Sequence, residues 1–225
     1  NYENNGWNWD TKIITAYGLN SNGVSKFLKK TDDKLEINSL IGKKFSSSNI
    51  GDLSYSSFIN FKTQWTKGYR FKKDSDGEEE RTERTRFLSP GYLQIGVGLY
   101  WEKNKDFWVN FAPITGRLIV VNKFFTEKLN ENQEYFGVKK GSTSRFELGS
   151  SIRSYYKFEF LENVFITNRI SLYSDYLENP ENIDLDYTIN TSLKVNKYLT
   201  TELIEKTIKT THQELTSRFS ISRQL

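Results

Sequence analysis

The sequence predicts an all-β fold: one antiparallel β-barrel domain across residues 1–225, with about ten strands visible. Three observations predict it. Apolar and polar residues alternate at period two along most of the chain, as in strands whose two faces meet different surroundings. Most alternating segments reach the about 9–11 residues that a membrane-crossing strand needs, where soluble strands average about 5–6. The connections between segments alternate long and short, except the last, near "TTHQ", which is short where the rule predicts long.

The strands follow in order. The first covers roughly residues 7–19, "WNWDTKIITAYGL", and the second roughly 34–45, "KLEINSLIGKKF". The third, roughly 53–66, puts Leu53, Tyr55, Ile59, Phe61 and Trp65 on one face. Lys62 and its polar neighbours take the other face, with Phe58 the exception. The fourth, roughly 91–102, alternates Leu93, Ile95, Val97, Leu99 and Trp101 with Gln94, Gly96, Gly98, Tyr100 and Glu102. The fifth is roughly 107–114. The sixth, roughly 143–160, sets Phe146, Leu148, Ile152, Tyr156 and Phe158 against Arg145, Glu147, Arg153, Lys157 and Glu159. The seventh, roughly 163–176, includes Val164, Ile166, Ile170 and Leu172, with Arg169 on its polar side. The eighth, roughly 183–195, sets Ile189 and Leu193 against Asp184, Asp186 and Lys194. The ninth, roughly 198–209, has no clean face, and the tenth is roughly 214–225.

Composition narrows the class. Of 225 residues, 27% are charged and 15% aromatic, and mean hydropathy is -0.66. No apolar run is long enough for a membrane-crossing helix. An alternating strand hides its apolar half from such averaging. With no cysteine, disulfides and thiolate metal sites are excluded. The net charge of +4 is spread out, so the sequence carries no nucleic-acid footprint. The chain does not begin with methionine, as expected of a processed or partial chain.

Strand length, loop asymmetry and aromatic placement together turn the apolar face toward lipid. Long connections follow the first, third, fifth and seventh strands, as on one side of an outer-membrane barrel. Trp7, Trp9, Phe45, Trp101, Phe107, Phe158 and Phe160 fall toward the short turns. Tyr17, Trp65, Tyr176 and Tyr187 fall toward the long loops, completing two headgroup-level belts. The lipid-facing set is Ile59, Phe61, Leu93, Ile95, Val97, Phe146, Leu148, Ile152, Ile189 and Leu193. The lumen-lining set is Lys62, Arg145, Glu147, Arg153, Lys157, Arg169 and Lys194. In a barrel this narrow, opposite charges can pair and fill the lumen, or form the selective zone of a pore.

"KTDDKLEINSLIGKKF", "FINFKTQWTKGY", "FLSPGYLQIGVGLYW", "FAPITGRLIVV", "FGVKKG" and "LYSDYLENPENIDLDYTINTSLKVNKYL" occur in this order. Over roughly residues 7–200 the chain thereby resembles a Bacteroidota outer-membrane β-barrel family catalogued as a domain of unknown function. The resemblance implies twelve strands, export through a signal peptide and residence in the cell outer membrane. It implies no activity, ligand or catalytic residue. The chain begins at "NYENNGW" and ends at "SRQL", where such proteins carry further strand, so parts of the N- and C-terminal strands are expected beyond it.

Chemical candidates are few. His212 lies in "KTTHQEL" with no nucleophile motif beside it, and reads as a loop residue. Asp175, Glu178, Glu181, Asp184 and Asp186 gather around one connection, a solvated acidic rim or an oxygen-donor set for calcium. Asp32 and Asp33 are adjacent and point to opposite strand faces. "KKDSDGEEERTERTR" reads as a solvated, mobile charged loop or a docking surface. Leu118, Ile119, Val120, Val121, Phe124 and Phe125 form an apolar run within a long connection. That run extends the fifth strand, folds into the barrel mouth or contacts a partner. The function expected is a non-enzymatic structural or accessory subunit of an outer-membrane assembly, without cofactor. Its surroundings would be lipid, lipopolysaccharide and other outer-membrane proteins. A small-solute pore and a soluble β-sandwich binding module are the alternatives.

Overall fold

The computed structural model describes residues 1–21, 26–73, 77–194, 200–210 and 213–224. Its strands are β1 (Tyr2–Asn4), β2 (Trp7–Asn20), β3 (Lys29–Ser48), β4 (Gly51–Thr63), β5 (Gly68–Lys73), β6 (Glu79–Thr85), β7 (Gly91–Asn104) and β8 (Phe107–Val120). After the single turn of α1 (Lys123–Thr126) come β9 (Glu134–Tyr135), β10 (Val138–Lys139), β11 (Ser144–Leu161), β12 (Val164–Asp175), β13 (Ile183–Lys194), β14 (Thr200–Thr210) and β15 (Gln213–Gln224). All ten expected strands are present, and β1 is an eleventh. They form one antiparallel sheet in the order β1-β2-β3-β4-β7-β8-β11-β12-β13-β14-β15. Each strand pairs with its predecessor in that order. Hairpins β5–β6 and β9–β10 stand apart as two-stranded sheets within the long connections.

Among the described residues four short turns are two residues long. Residues 5–6, 49–50, 105–106 and 162–163 join paired strand ends. Asn5 and Gly6 both have positive φ (48° and 76°), the pair that matches a two-residue turn to strand twist. The other side carries residues 64–90, with β5–β6, and residues 121–143, with α1 and β9–β10.

Register aligns the apolar positions in rows across the sheet. Ile13 pairs with Ile37, Ile37 with Phe61, Phe61 with Leu93, Leu93 with Leu118, and Leu118 with Phe146. This face is exposed: Ile13 is 66% accessible, Ile114 62% and Phe146 60%. The opposite face buries Ser56, Asn110, Thr115, Glu147 and Ser151. A soluble domain does the reverse. The expected exception, Phe58, lies on the polar face and is buried there. β14 pairs throughout with β13, and its outward row carries exposed Glu205 opposite Ile189.

The polar face is concave. Arg117 on β8 reaches Asp184 on β13 at 2.6 Å, although β11 and β12 lie between. Arg153 on β11 lies 4.0 Å over the Phe58 ring of β4, across β7 and β8. On a flat sheet three strand spacings are about 14 Å, so strong curvature brings these groups together.

One device of that curvature is a bulge in β8. Val97 pairs with Ile114 but Leu99 with Phe111, so Ala112 and Pro113 together oppose Gly98. The proline has no N–H to offer a ladder, and a bulge needs none there. Buried Thr115 donates back to the Ala112 carbonyl at 2.9 Å. Any Cβ at Gly98 would meet the Phe111 carbonyl oxygen and come within 2.6 Å of the Ala112 Cα. The bulge also switches the outward positions from odd (Phe107, Val109, Phe111) to even (Ile114, Gly116, Leu118).

Candidate functional site

The concave face carries three layers of side chains. Nearest the long connections lies an ion cluster. Glu147, 3% exposed, is 3.2 Å from Arg117 and 3.0 Å from the Arg145 Nε. Arg117 also bonds Asp184 and lies 3.6 Å over the Tyr173 ring. Arg145 reaches Glu178 at 2.9 Å, and Asp175 and Glu134 at 3.8 Å. Four strands and a connection thus converge on two arginines. The rim acids Asp175, Glu178 and Asp184 are matched by guanidinium groups. Among the described residues no group of three His, Cys, Asp or Glu is placed to hold a metal ion.

The middle layer is amide-rich. Arg153 donates to the Gln94 side-chain oxygen at 2.6 Å while stacked on Phe58. Asn60 donates to Asn38, which donates to Glu36 at 2.8 Å. Lys62 is half-buried in register with Glu36. Asn110 donates to Ser56 at 2.7 Å, and the Thr115 and Ser151 hydroxyls lie 3.2 Å apart.

Toward the short turns the layer is aromatic. Tyr100, Trp108 and Tyr155 follow one another with ring centres 5.6 and 5.9 Å apart. Arg169 lies 5.3 Å over Tyr155, and Lys157 5.1 Å over Phe165. Lys194 is exposed at the end of β13.

On the convex face, Ile59, Ile95, Val97, Phe146, Leu148, Ile152 and Leu193 are exposed, while Phe61, Leu93 and Ile189 are half-buried among neighbours. Rings gather near the short turns: Phe45 stacks on Tyr55 at 4.4 Å, and Trp101, Phe107, Tyr156 and Phe158 are linked by contacts of 5.1–5.4 Å. At the far end Trp65 donates to Thr15 at 2.9 Å, and the Tyr176 hydroxyl to the Pro113 carbonyl at 3.1 Å.

The apolar run after β8 has a divided fate. Leu118, Ile119 and Val120 extend β8, so the fifth strand runs six residues past its expected end at 114. Ile119, Val121 and Phe125 are buried with Val138 in a small core packed by Tyr92, Tyr135 and Phe136. These three pack mainly within the chain's own loop architecture. Phe124 is 40% exposed, and Leu118 and Val120 are half-buried. The charged segment "KKDSDGEEERTERTR", expected as a mobile loop, contributes to the β5–β6 hairpin. Asp33 takes no part in a carboxylate pair: it accepts bonds from Lys30, the Trp65 and Thr66 amides and the Thr66 hydroxyl, at 2.6–2.9 Å. His212 lies outside the described residues.

Arg117, Tyr173 and Phe58 complete the concave face but were not among the expected lumen residues. Arg117 stands in "TGRLIVV", beyond the bulge, where the broken alternation disguises strand as loop.

Residues 1–69 match the family described as "Protein of unknown function (DUF3078)". No curated protein and no solved structure matches the chain. Over β1 to β4 the chain is therefore similar to a family whose description assigns no activity.

Proposed function

We propose that this chain is a transmembrane antiparallel β-barrel of the outer membrane of a Bacteroidota cell, acting as a non-enzymatic structural or accessory subunit of a larger assembly. The observation that carries this is the inverted burial: an exposed apolar face in continuous cross-strand rows, and a concave face that buries charge. In hydrocarbon every backbone group must pair within the protein, which a closed sheet achieves without edges. Aromatic rings near both strand ends match headgroup-level belts. Among the described residues no helix is long and apolar enough to cross a membrane.

The accessory role rests on two features. The lumen arginines Arg117 and Arg145 are engaged with Glu147, Asp184 and Glu178, an arrangement that fills space and fixes shape. On one side the connections build hairpins and a small core of their own, a shaped platform for another protein. Lipid and lipopolysaccharide would surround the wall. Purification from native membranes in mild detergent tests this: a stoichiometric partner is expected with the barrel, and isolation as a lone protein contradicts the accessory role.

One observation favours a small-solute pore as the second reading. Arg153 holds its charge in the middle layer against Gln94 and a ring face, as in an anion-selective zone. Planar-bilayer conductance reversed in selectivity by Arg153→Glu would establish it. A filled barrel gives no conductance.

A further inference from the structure

Beyond the strand ends, the β5–β6 hairpin faces the α1–β9 segment across a cavity of about 690 Å³. Consecutive residues 81–84 line one wall, and consecutive residues 133–135 line the other. Side chains alternate along a strand, so a cavity lined by consecutive residues runs along strand edges. Among the described residues β6 pairs only with β5, and β9 only with β10. Arg84 falls where the β5–β6 register slips, and its carbonyl already accepts a hydrogen bond from the Tyr135 hydroxyl across the gap. A strand edge of this kind is a template for another chain.

The charges of the walls choose the occupant. The Glu83 carboxylate is engaged by Arg86 at 2.7 Å and Lys67 at 3.2 Å, and Glu134 lies 3.8 Å from Arg145. Arg84 and Lys128 lie over ring faces instead, 5.7 Å from Tyr135 and 3.7 Å from Phe124. A ring face orients a cation without neutralising it. The cleft therefore joins open backbone edges to positive charge.

We infer that this cleft receives an extended acidic segment of a partner protein, added as a strand against β6. Main-chain bonds supply affinity in this mode, and alternate side chains supply specificity. The inference rests on the accessory reading for the existence of a partner and gives it a contact chemistry.

The test uses the full chain in detergent micelles and a labelled nine-residue peptide alternating Glu and Val. Binding with a dissociation constant of about 10 µM is expected. Methylating alternate peptide nitrogens removes ladder donors and should weaken binding at least about tenfold, as should Arg84→Glu with Lys128→Glu. A Lys–Val peptide should not bind. Equal binding by the methylated or the Lys–Val peptide would overturn the proposal, as would no binding by the Glu–Val peptide at millimolar concentration. The methylation comparison uses the unaltered protein, so it decides even where the double variant fails to fold. A stoichiometric partner that copurifies from native membranes while the Glu–Val peptide fails to bind places the failure in the cleft and not in the accessory reading.

Discussion

Glu147 shows how much rests on single side chains. It is nearly inaccessible, with Arg117 and Arg145 on either side. Removing one partner from a buried ionic group leaves charge without compensation. Glu147→Gln is expected to cost roughly 3 kcal/mol of stability in denaturant unfolding from detergent, moderated because Asp184 and Glu178 remain. Gly98→Ala meets backbone of the facing bulge, which cannot step aside as a flexible side chain could. It should cost about 1–3 kcal/mol by the same measurement. On the convex face, Ile95→Arg or Leu148→Arg is expected to cost about 2–4 kcal/mol in unfolding from lipid vesicles. The same charge on a surface facing only water would be nearly neutral.

At the scale of elements, most of the ten long strands were legible because period two persisted through them, the ninth having no clean face. The C-terminal end of β8 and the start of β3 were not. In β8 the Ala112–Pro113 bulge shifts parity, so Leu118 and Val120 continue the outward row out of phase with Phe111. Beyond it, Ile119 turns its apolar side chain inward to the loop core, and neither face of "LIVV" reads as polar. The polar interior was readable as a set of residues, but not its wiring. Arg117 meets Asp184 through curvature, which no local pattern encodes. The β5–β6 hairpin escaped notice because β6, EERTERT, has no apolar residue, and in β5 only Tyr69 and Phe71 stand among the cations. It is held in part by Glu83. Burial disfavours that carboxylate, but bonds from Arg86 and Lys67 outweigh burial and hold its pKa below the ordinary 4.5. A depressed carboxylate stabilises above its unfolded pKa and loses that contribution as pH falls through the folded one. Protection of Gly68–Lys73 and Glu79–Thr85, measured by hydrogen exchange corrected for intrinsic rate, should therefore be steady at neutral pH and decline below about 4.5.

At the scale of the whole sheet, most described apolar groups lie outside and most described ionic groups lie within, with Phe58 and Glu205 among the exceptions. The buried hydrophobic residues among those described are Phe58, Ala112, Ile119, Val121, Phe125, Val138 and Tyr173, with several of them in the loop core rather than the sheet. So small an apolar interior could not by itself offset the conformational entropy of ordering a chain this long in water. In the proposed reading, contact of the convex face with lipid would supply the missing environment. The chain contains no cysteine, so single cysteines can be introduced without a background. The most direct measurement places a fluorescent label at Ile95→Cys and Leu148→Cys, and at Lys62→Cys and Lys157→Cys, in protein folded into vesicles with brominated acyl chains. Strong quenching at the first pair and little at the second is the predicted result. Equal quenching at all four positions, or a protein that remains folded in water and does not enter the vesicles, would contradict the account.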